Sequence, residues 1–224
     1  MNKLYVDAIR NTIIGVIVFG LILCLAAGTL AYWQGWVFTV IFLTCTNGQG
    51  VYLGIKDPAL LERRKNVAAD AQTTAQRVFL ISALLLNVIM MIVSALAHRF
   101  GWLQVPAFIS IIGDLLVVFS YYIYYLVFNQ NTYAASSIQT FEGQKVISTG
   151  MYGIVRHPKY VGDLVLIIGA ALALGSLVGL IFLVITLPAL GWRILDEEKL
   201  LRKDLVGYDD YTRKVPYRLV PHLW

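Results

Sequence analysis

Residues 150–162 read G-M-Y-G-I-V-R-H-P-K-Y-V-G and separate two hydrophobic halves of the chain. Pro158 has a fixed φ and disfavours helical geometry at His157, so the pattern predicts a tight bend here. The bend would present Arg156, His157 and Tyr160 together at the end of an apolar segment. Taken alone, the stretch is equally typical of a basic loop at a membrane surface and of a site for a polar ligand.

A second polar cluster follows after one apolar block. Residues 193–201 read R-I-L-D-E-E-K-L-L, and residues 207–211 read G-Y-D-D-Y. As one helix, the intervening residues 161–192 would be about 48 Å long at 1.5 Å per residue. That length exceeds a hydrocarbon core of about 30 Å. Gly175 and Gly179, near the middle of the block, therefore predict a helical hairpin that returns both polar clusters to one side of the membrane.

The composition predicts a membrane protein. The 224 residues are 58% hydrophobic and 14% charged, whereas soluble domains carry about 25% charged residues. Four more apolar runs long enough to span a bilayer occur at residues 13–31, 36–55, 78–97 and 105–128. With the hairpin they predict an all-α polytopic bundle of about six spans. The first run is also compatible with a cleaved signal peptide, although it is long for one.

The positive charge predicts a topology. Lysine and arginine together number five in residues 56–77, three in 129–160 and seven in 193–224. The turns at 32–35 and 99–104 carry none and one. Because positive loops stay cytoplasmic, both termini and both polar clusters are expected on the cytoplasmic side. The net charge of +5 then indicates contact with anionic lipid and not with nucleic acid.

The sequence contains no pattern typical of a metal site or of a Rossmann-type nucleotide-binding site. Cys24 and Cys45 lie in apolar runs, and His98, His157 and His222 are far apart, so no metal-ligand spacing is present. The chain also lacks a G-x-G-x-x-G turn.

The two polar clusters form a recognisable pair. The pattern R-H-P-x-Y-x-G followed, one hydrophobic block later, by R-x-x-x-E-E-x-x-L resembles the isoprenylcysteine carboxyl methyltransferase family. These are integral-membrane enzymes that use S-adenosylmethionine. The resemblance covers roughly residues 129–221. It implies a four-span membrane region at 1–128 and a catalytic region at 129–224 that comprises a cofactor loop, the hairpin and a cytoplasmic tail. Within this region the site is expected to be built from the loop before the hairpin and the polar segment after it.

The resemblance also implies roles for single residues. The positions that match cofactor contacts are Gln144, Lys145, Val146, Ile147, Tyr152, Arg156, His157, Pro158, Lys159, Tyr160 and Glu197. The match at 144–147 is loose in side-chain type, which favours contacts through the backbone. Arg193 matches the arginine that holds the acceptor, and Glu198 is the second expected catalytic residue. The alternative for Arg193 is an interfacial side chain that extends to the lipid headgroups.

Several functions remain compatible with these residues. The leading one is methyl transfer to the carboxylate of an isoprenylated cysteine or a similar small lipid. Such a carboxylate is already ionised and needs alignment, not a base. A phospholipid amine acceptor would need a base, for which His157 or Glu198 is available. An NADPH-dependent sterol or enoyl reductase is the second class, and a transporter or non-enzymatic subunit is the third. The oligomeric state is left open.

Asp114 stands apart from both clusters. It lies inside the apolar run 105–128, and an ionisable residue within a span is a candidate for function. The structural alternative is a hydrogen bond to Asn47 or Asn87.

Overall fold

The computed structural model describes residues 2–65, 73–134 and 138–224. Eight α-helices account for most of these residues: α1 Asn2–Ala27, α2 Trp33–Lys56, α3 Pro58–Lys65, α4 Thr74–Phe100, α5 Ala107–Gln130, α6 Pro158–Ala173, α7 Ile181–Asp204 and α8 Tyr208–Lys214. Two 3₁₀ turns, Gly150–Gly153 and Val178–Leu180, precede α6 and α7. The predicted all-helical membrane bundle is confirmed.

Among the described residues, four helices are long and apolar enough to cross a membrane: α1, α4, α5 and the segment Val178–Asp204 that contains α7. The other two predicted spans are helical but differ from these. Helix α2 has sufficient length at 24 residues, but it carries polar residues such as Asn47 and Gln49. Helix α6 has 16 residues, slightly fewer than the roughly 17 that a perpendicular span requires.

The helix boundaries follow from local chemistry. The Thr73 side chain caps α4 by accepting a hydrogen bond from the Gln76 N–H at 3.2 Å. Gly101 ends the same helix with a φ of 72°, a conformation that favours glycine. Pro158 begins α6, where its missing N–H costs no intrahelical hydrogen bond.

The hairpin is formed by α6 and α7 around a turn at Gly175, which has a φ of 72°. Helix α6 packs tightly against α5 because small residues face each other. A Cβ added to Gly113 would lie 2.2 Å from the Ala173 nitrogen, and one added to Gly169 would lie 2.9 Å from the Val117 nitrogen. Such close backbone contact is typical of helix packing in membranes. It fixes α6, and with it the R-H-P bend, on the rest of the bundle.

The structure corrects the expectation for Asp114. Asn47 donates to the Thr12 hydroxyl at 2.9 Å, and Asn87 donates to the carbonyl of Ala83. The Asp114 carboxyl is buried, and its Oδ1 has no hydrogen-bond partner among the described residues. Neither predicted pairing is formed, and the two asparagines donate instead to neighbours on their own helix or on α1.

The hairpin leads to a prediction about sidedness. Ser148 precedes the bend and Arg202 lies near the end of α7, and both are exposed. In a background with Cys24 and Cys45 replaced by serine, single cysteines at these two positions should react with a membrane-impermeant maleimide from the same side. The charge distribution predicts that this side is the cytoplasmic one. Labelling from opposite sides would contradict both the hairpin and a shared site.

Candidate active site

The R-H-P bend is held by the C-terminal tail. His157 is the N-cap residue of α6. Its backbone N–H donates to the Arg218 carbonyl at 3.0 Å, and the N–H of Arg156 donates to the Tyr217 carbonyl at 2.9 Å. The Arg156 side chain also donates, through Nη2, to the carbonyl of Pro216. The tail, which the sequence indicated only as a polar surface segment, is thus a structural part of the bend.

Glu198 lies at the centre of a buried ionic network. Its Oε1 is 2.9 Å from Arg156 Nη1 and 3.3 Å from His157 Nε2. Its Oε2 accepts from Nε of Arg218 at 3.1 Å, and Nη2 of the same arginine is also at 3.1 Å. The Glu198 side chain is 4% exposed. Both carboxylate oxygens are therefore occupied by partners from the bend and the tail.

Glu197, the other half of the acidic pair, takes part in a second network. The Tyr160 hydroxyl donates to Glu197 Oε2 at 2.6 Å and accepts from Arg193 Nε at 3.2 Å. The Arg193 guanidinium lies 4.8 Å from the centroid of the Phe79 ring on α4. Three helices thus fix Arg193 inside the bundle, with 4% of the residue exposed. This placement is incompatible with a side chain extending to the headgroups.

Lys159 is fixed in a similar way. Its ammonium lies 2.7 Å from Asp163 Oδ2, one turn further along α6. The other oxygen, Asp163 Oδ1, accepts from the Tyr124 hydroxyl at 2.7 Å. A residue of α5 thereby orients a cation that belongs to the R-H-P motif.

An open pocket of about 880 Å³, including solvent at its mouth, lies against these networks. Every residue expected to bind the cofactor contributes to its lining: Gln144, Lys145, Val146, Ile147, Tyr152, Arg156, His157, Pro158, Lys159, Tyr160 and Glu197. Arg193 lines it as well. Glu198 does not, because it lies behind Arg156 and His157, so the structure places this expected catalytic residue outside the pocket wall.

The segment between α5 and α6 forms another wall of the pocket, which includes Asn131 and Tyr133. Asn131 donates to the Tyr152 hydroxyl at 2.9 Å. Burial raises the pKa of Tyr152 to about 12, so this phenol stays protonated at neutral pH. Arg64 of α3 donates to the Ala134 carbonyl at 2.9 Å. The connector after α2 thus anchors this wall.

Sequence reasoning missed other lining residues, among them Tyr208 and Tyr211 of α8. The Tyr211 hydroxyl donates to the Tyr152 carbonyl at 2.8 Å, so α8 supports the loop that precedes α6. The G-Y-D-D-Y stretch is polar in sequence, and its spacing does not indicate which of its side chains face the pocket.

Comparison with known proteins identifies two groups of relatives. Residues 108–205 match the family model for phospholipid methyltransferases. A 91-residue stretch is 33% identical to the Delta(14)-sterol reductase TM7SF2 of Mus musculus, and a 99-residue stretch is 32% identical to a probable 7-dehydrocholesterol reductase of Acanthamoeba polyphaga mimivirus. These stretches cover 39% and 41% of this chain, but only 22% of either relative.

Proposed function

We propose that this chain is an S-adenosylmethionine-dependent membrane methyltransferase that acts on a lipid-like acceptor, with the carboxylate of an isoprenylated cysteine or similar small lipid favoured. The observation that carries the proposal is the convergence of both sequence motifs on one pocket. The match of residues 108–205 to the phospholipid methyltransferase model supports the same class of enzyme. We place the site at the cytoplasmic surface of the membrane.

The residues around the pocket suit S-adenosylmethionine. Its amino-acid head needs an anion for the ammonium and donors for the carboxylate, and Glu197 and Arg156 supply these charges. Val146, Leu201 and Leu205 offer apolar surface for an adenine ring. When bound, the cofactor supplies an electrophilic methyl group. The chain's own contribution is to orient the acceptor and to exclude water from it.

The occupied oxygens of Glu198 favour a carboxylate acceptor. An amine acceptor must lose a proton to a base, but three partners engage Glu198. That leaves His157 as the base candidate from the sequence. A carboxylate acceptor needs no base, and a guanidinium such as that of Arg193 can hold it through two hydrogen bonds. Methylation of a phospholipid amine is therefore the less favoured methyltransferase activity.

A reductase is the second candidate function. The sterol reductase relatives favour it, and Arg156 and Lys159 in the pocket wall could bind the phosphates of NADPH. The reductase is the weaker proposal because the matched stretches cover only 22% of either relative.

Calorimetric titration of the protein in detergent micelles tests the proposal. We expect S-adenosylhomocysteine to bind and NADPH not to bind. Glu197→Gln should weaken S-adenosylhomocysteine binding by about 10- to 100-fold, because a hydrogen-bonded charge is lost from a partly buried site. Asp210→Asn, a change at an exposed carboxylate of α8, is the matched control and should bind normally. Binding of NADPH with no binding of S-adenosylhomocysteine would favour the reductase.

A further inference from the structure

Tyr208 is a buried tyrosine at the pocket that the preceding assignments leave unused. It is the first residue of α8 and is 4% exposed. Its ring packs in an apolar cluster with Leu205, Tyr211 and Val215. Its hydroxyl is buried and has no hydrogen-bond partner among the described residues. Since buried polar groups are nearly always paired, this hydroxyl requires a partner other than the described residues.

A second donor in the same wall is in the same situation. Arg156 uses Nη1 for Glu198 and Nη2 for the Pro216 carbonyl. Its Nε is buried and has no partner among the residues that the structure describes. Both Arg156 and Tyr208 line the pocket. The pocket lining therefore holds two donor groups, the Nε of a cationic side chain and a neutral hydroxyl, that have no acceptor among the described residues.

The charges around Tyr208 define its role. Burial raises the pKa of Tyr208 well above its usual range, and the negative charges of Glu198 and Glu197 raise it further. The phenol thus stays protonated and can donate a hydrogen bond. An uncharged donor beside a guanidinium is suited to an anionic oxygen, because hydrogen bonds to ionised acceptors are the stronger ones.

We propose that the Tyr208 hydroxyl and Arg156 Nε together bind the carboxylate of the cofactor's amino-acid head. This rests on the proposed methyltransferase function, which supplies the ligand. Glu197, on the same pocket wall, then takes the ammonium of the same head group. The assignment makes α8 part of the cofactor site.

Tyr208→Phe tests the assignment, with two ligands that differ in the amino-acid head. S-adenosylhomocysteine carries the carboxylate, and 5′-methylthioadenosine lacks it. By titration calorimetry, Tyr208→Phe should weaken S-adenosylhomocysteine binding by about tenfold or more and leave 5′-methylthioadenosine binding unchanged. The melting temperature without ligand should stay the same or rise, since the hydroxyl that is removed has no partner to lose.

Tyr32→Phe is the matched control. Tyr32 is also a buried phenol, but it donates to the Leu174 carbonyl near the hairpin turn, at the opposite end of α6 from the site. This variant should lose thermal stability and keep its affinity for S-adenosylhomocysteine. If Tyr208→Phe binds S-adenosylhomocysteine with unchanged affinity, this inference is overturned but the proposed function is not. An equal loss of affinity for both ligands would overturn the assignment of Tyr208 to the carboxylate. Absence of binding to the unmodified protein would overturn the proposed function and the inference with it.

Discussion

Glu198→Ala should destabilise the protein by about 3–5 kcal/mol, the usual cost of leaving buried charges without their counter-ion. The substitution removes the acceptor shared by Arg156, His157 and Arg218. The Arg156 side chain is 5% exposed, so its positive charge cannot be compensated by water. The R-H-P bend and the tail would lose their common anchor, and cofactor affinity would fall with it.

Thermal and chemical denaturation in detergent would measure this loss. Asp210→Ala is the control, because Asp210 pairs with Arg213 at 3.4 Å on an exposed face. Exposed pairs contribute less than about 1 kcal/mol, so this variant should unfold near the wild-type midpoint. A Glu198→Ala protein of normal stability that lacks turnover would instead support the catalytic role that the sequence suggested.

The case of Glu198 shows what a motif can and cannot specify. The resemblance distinguishes the adjacent acidic residues, with Glu197 expected at the cofactor and Glu198 expected in catalysis. Consecutive residues on a helix are not neighbours on one face, so one of them had to point away from the pocket. The sequence alone could not show that Glu198 is the one that points away, because its partners, Arg218 among them, come from a tail with no motif of its own.

The hairpin could be predicted because it follows from length. An apolar segment that is too long for one span must reverse direction, and the glycines near its middle indicate the position of the turn. Once the turn is made, the bend at His157 and the acidic pair lie at the same end of the bundle. The predicted cofactor positions therefore line one pocket, although their contacts with a ligand stay a prediction.

The role of the tail could not be predicted for a different reason. The bend is held by backbone carbonyls of Tyr217 and Arg218. Backbone hydrogen bonds of this kind do not require particular side chains, so they cannot be predicted from residue types. Asp114 illustrates the same limit. Its burial in α5 could be predicted from the apolar run, but its partners depend on how neighbouring helices are rotated.

Arg193→Lys should lower the rate of methyl transfer to a carboxylate acceptor by about 100-fold, the scale of losses from misaligned reactants. The guanidinium is held by the Tyr160 hydroxyl at Nε and lies over the Phe79 ring. Lysine cannot reproduce that arrangement, because its ammonium lacks the planar fork that binds a carboxylate at two points.

The measurement separates acceptor binding from cofactor binding. An S-farnesylated cysteine derivative would serve as the carboxylate acceptor, and S-adenosylhomocysteine would report cofactor affinity. The affinity of Arg193→Lys for S-adenosylhomocysteine should stay within about threefold of wild type, because Glu197 keeps its hydrogen bond from Tyr160. A threefold change in affinity corresponds to well below 1.4 kcal/mol. The exposed Arg213, replaced by lysine, is the matched control. Near-normal turnover in Arg193→Lys would remove the acceptor clamp from the proposal. Loss of cofactor affinity would place Arg193 in the cofactor site and make an amine the better acceptor, because the pocket would then lack its arginine for a carboxylate.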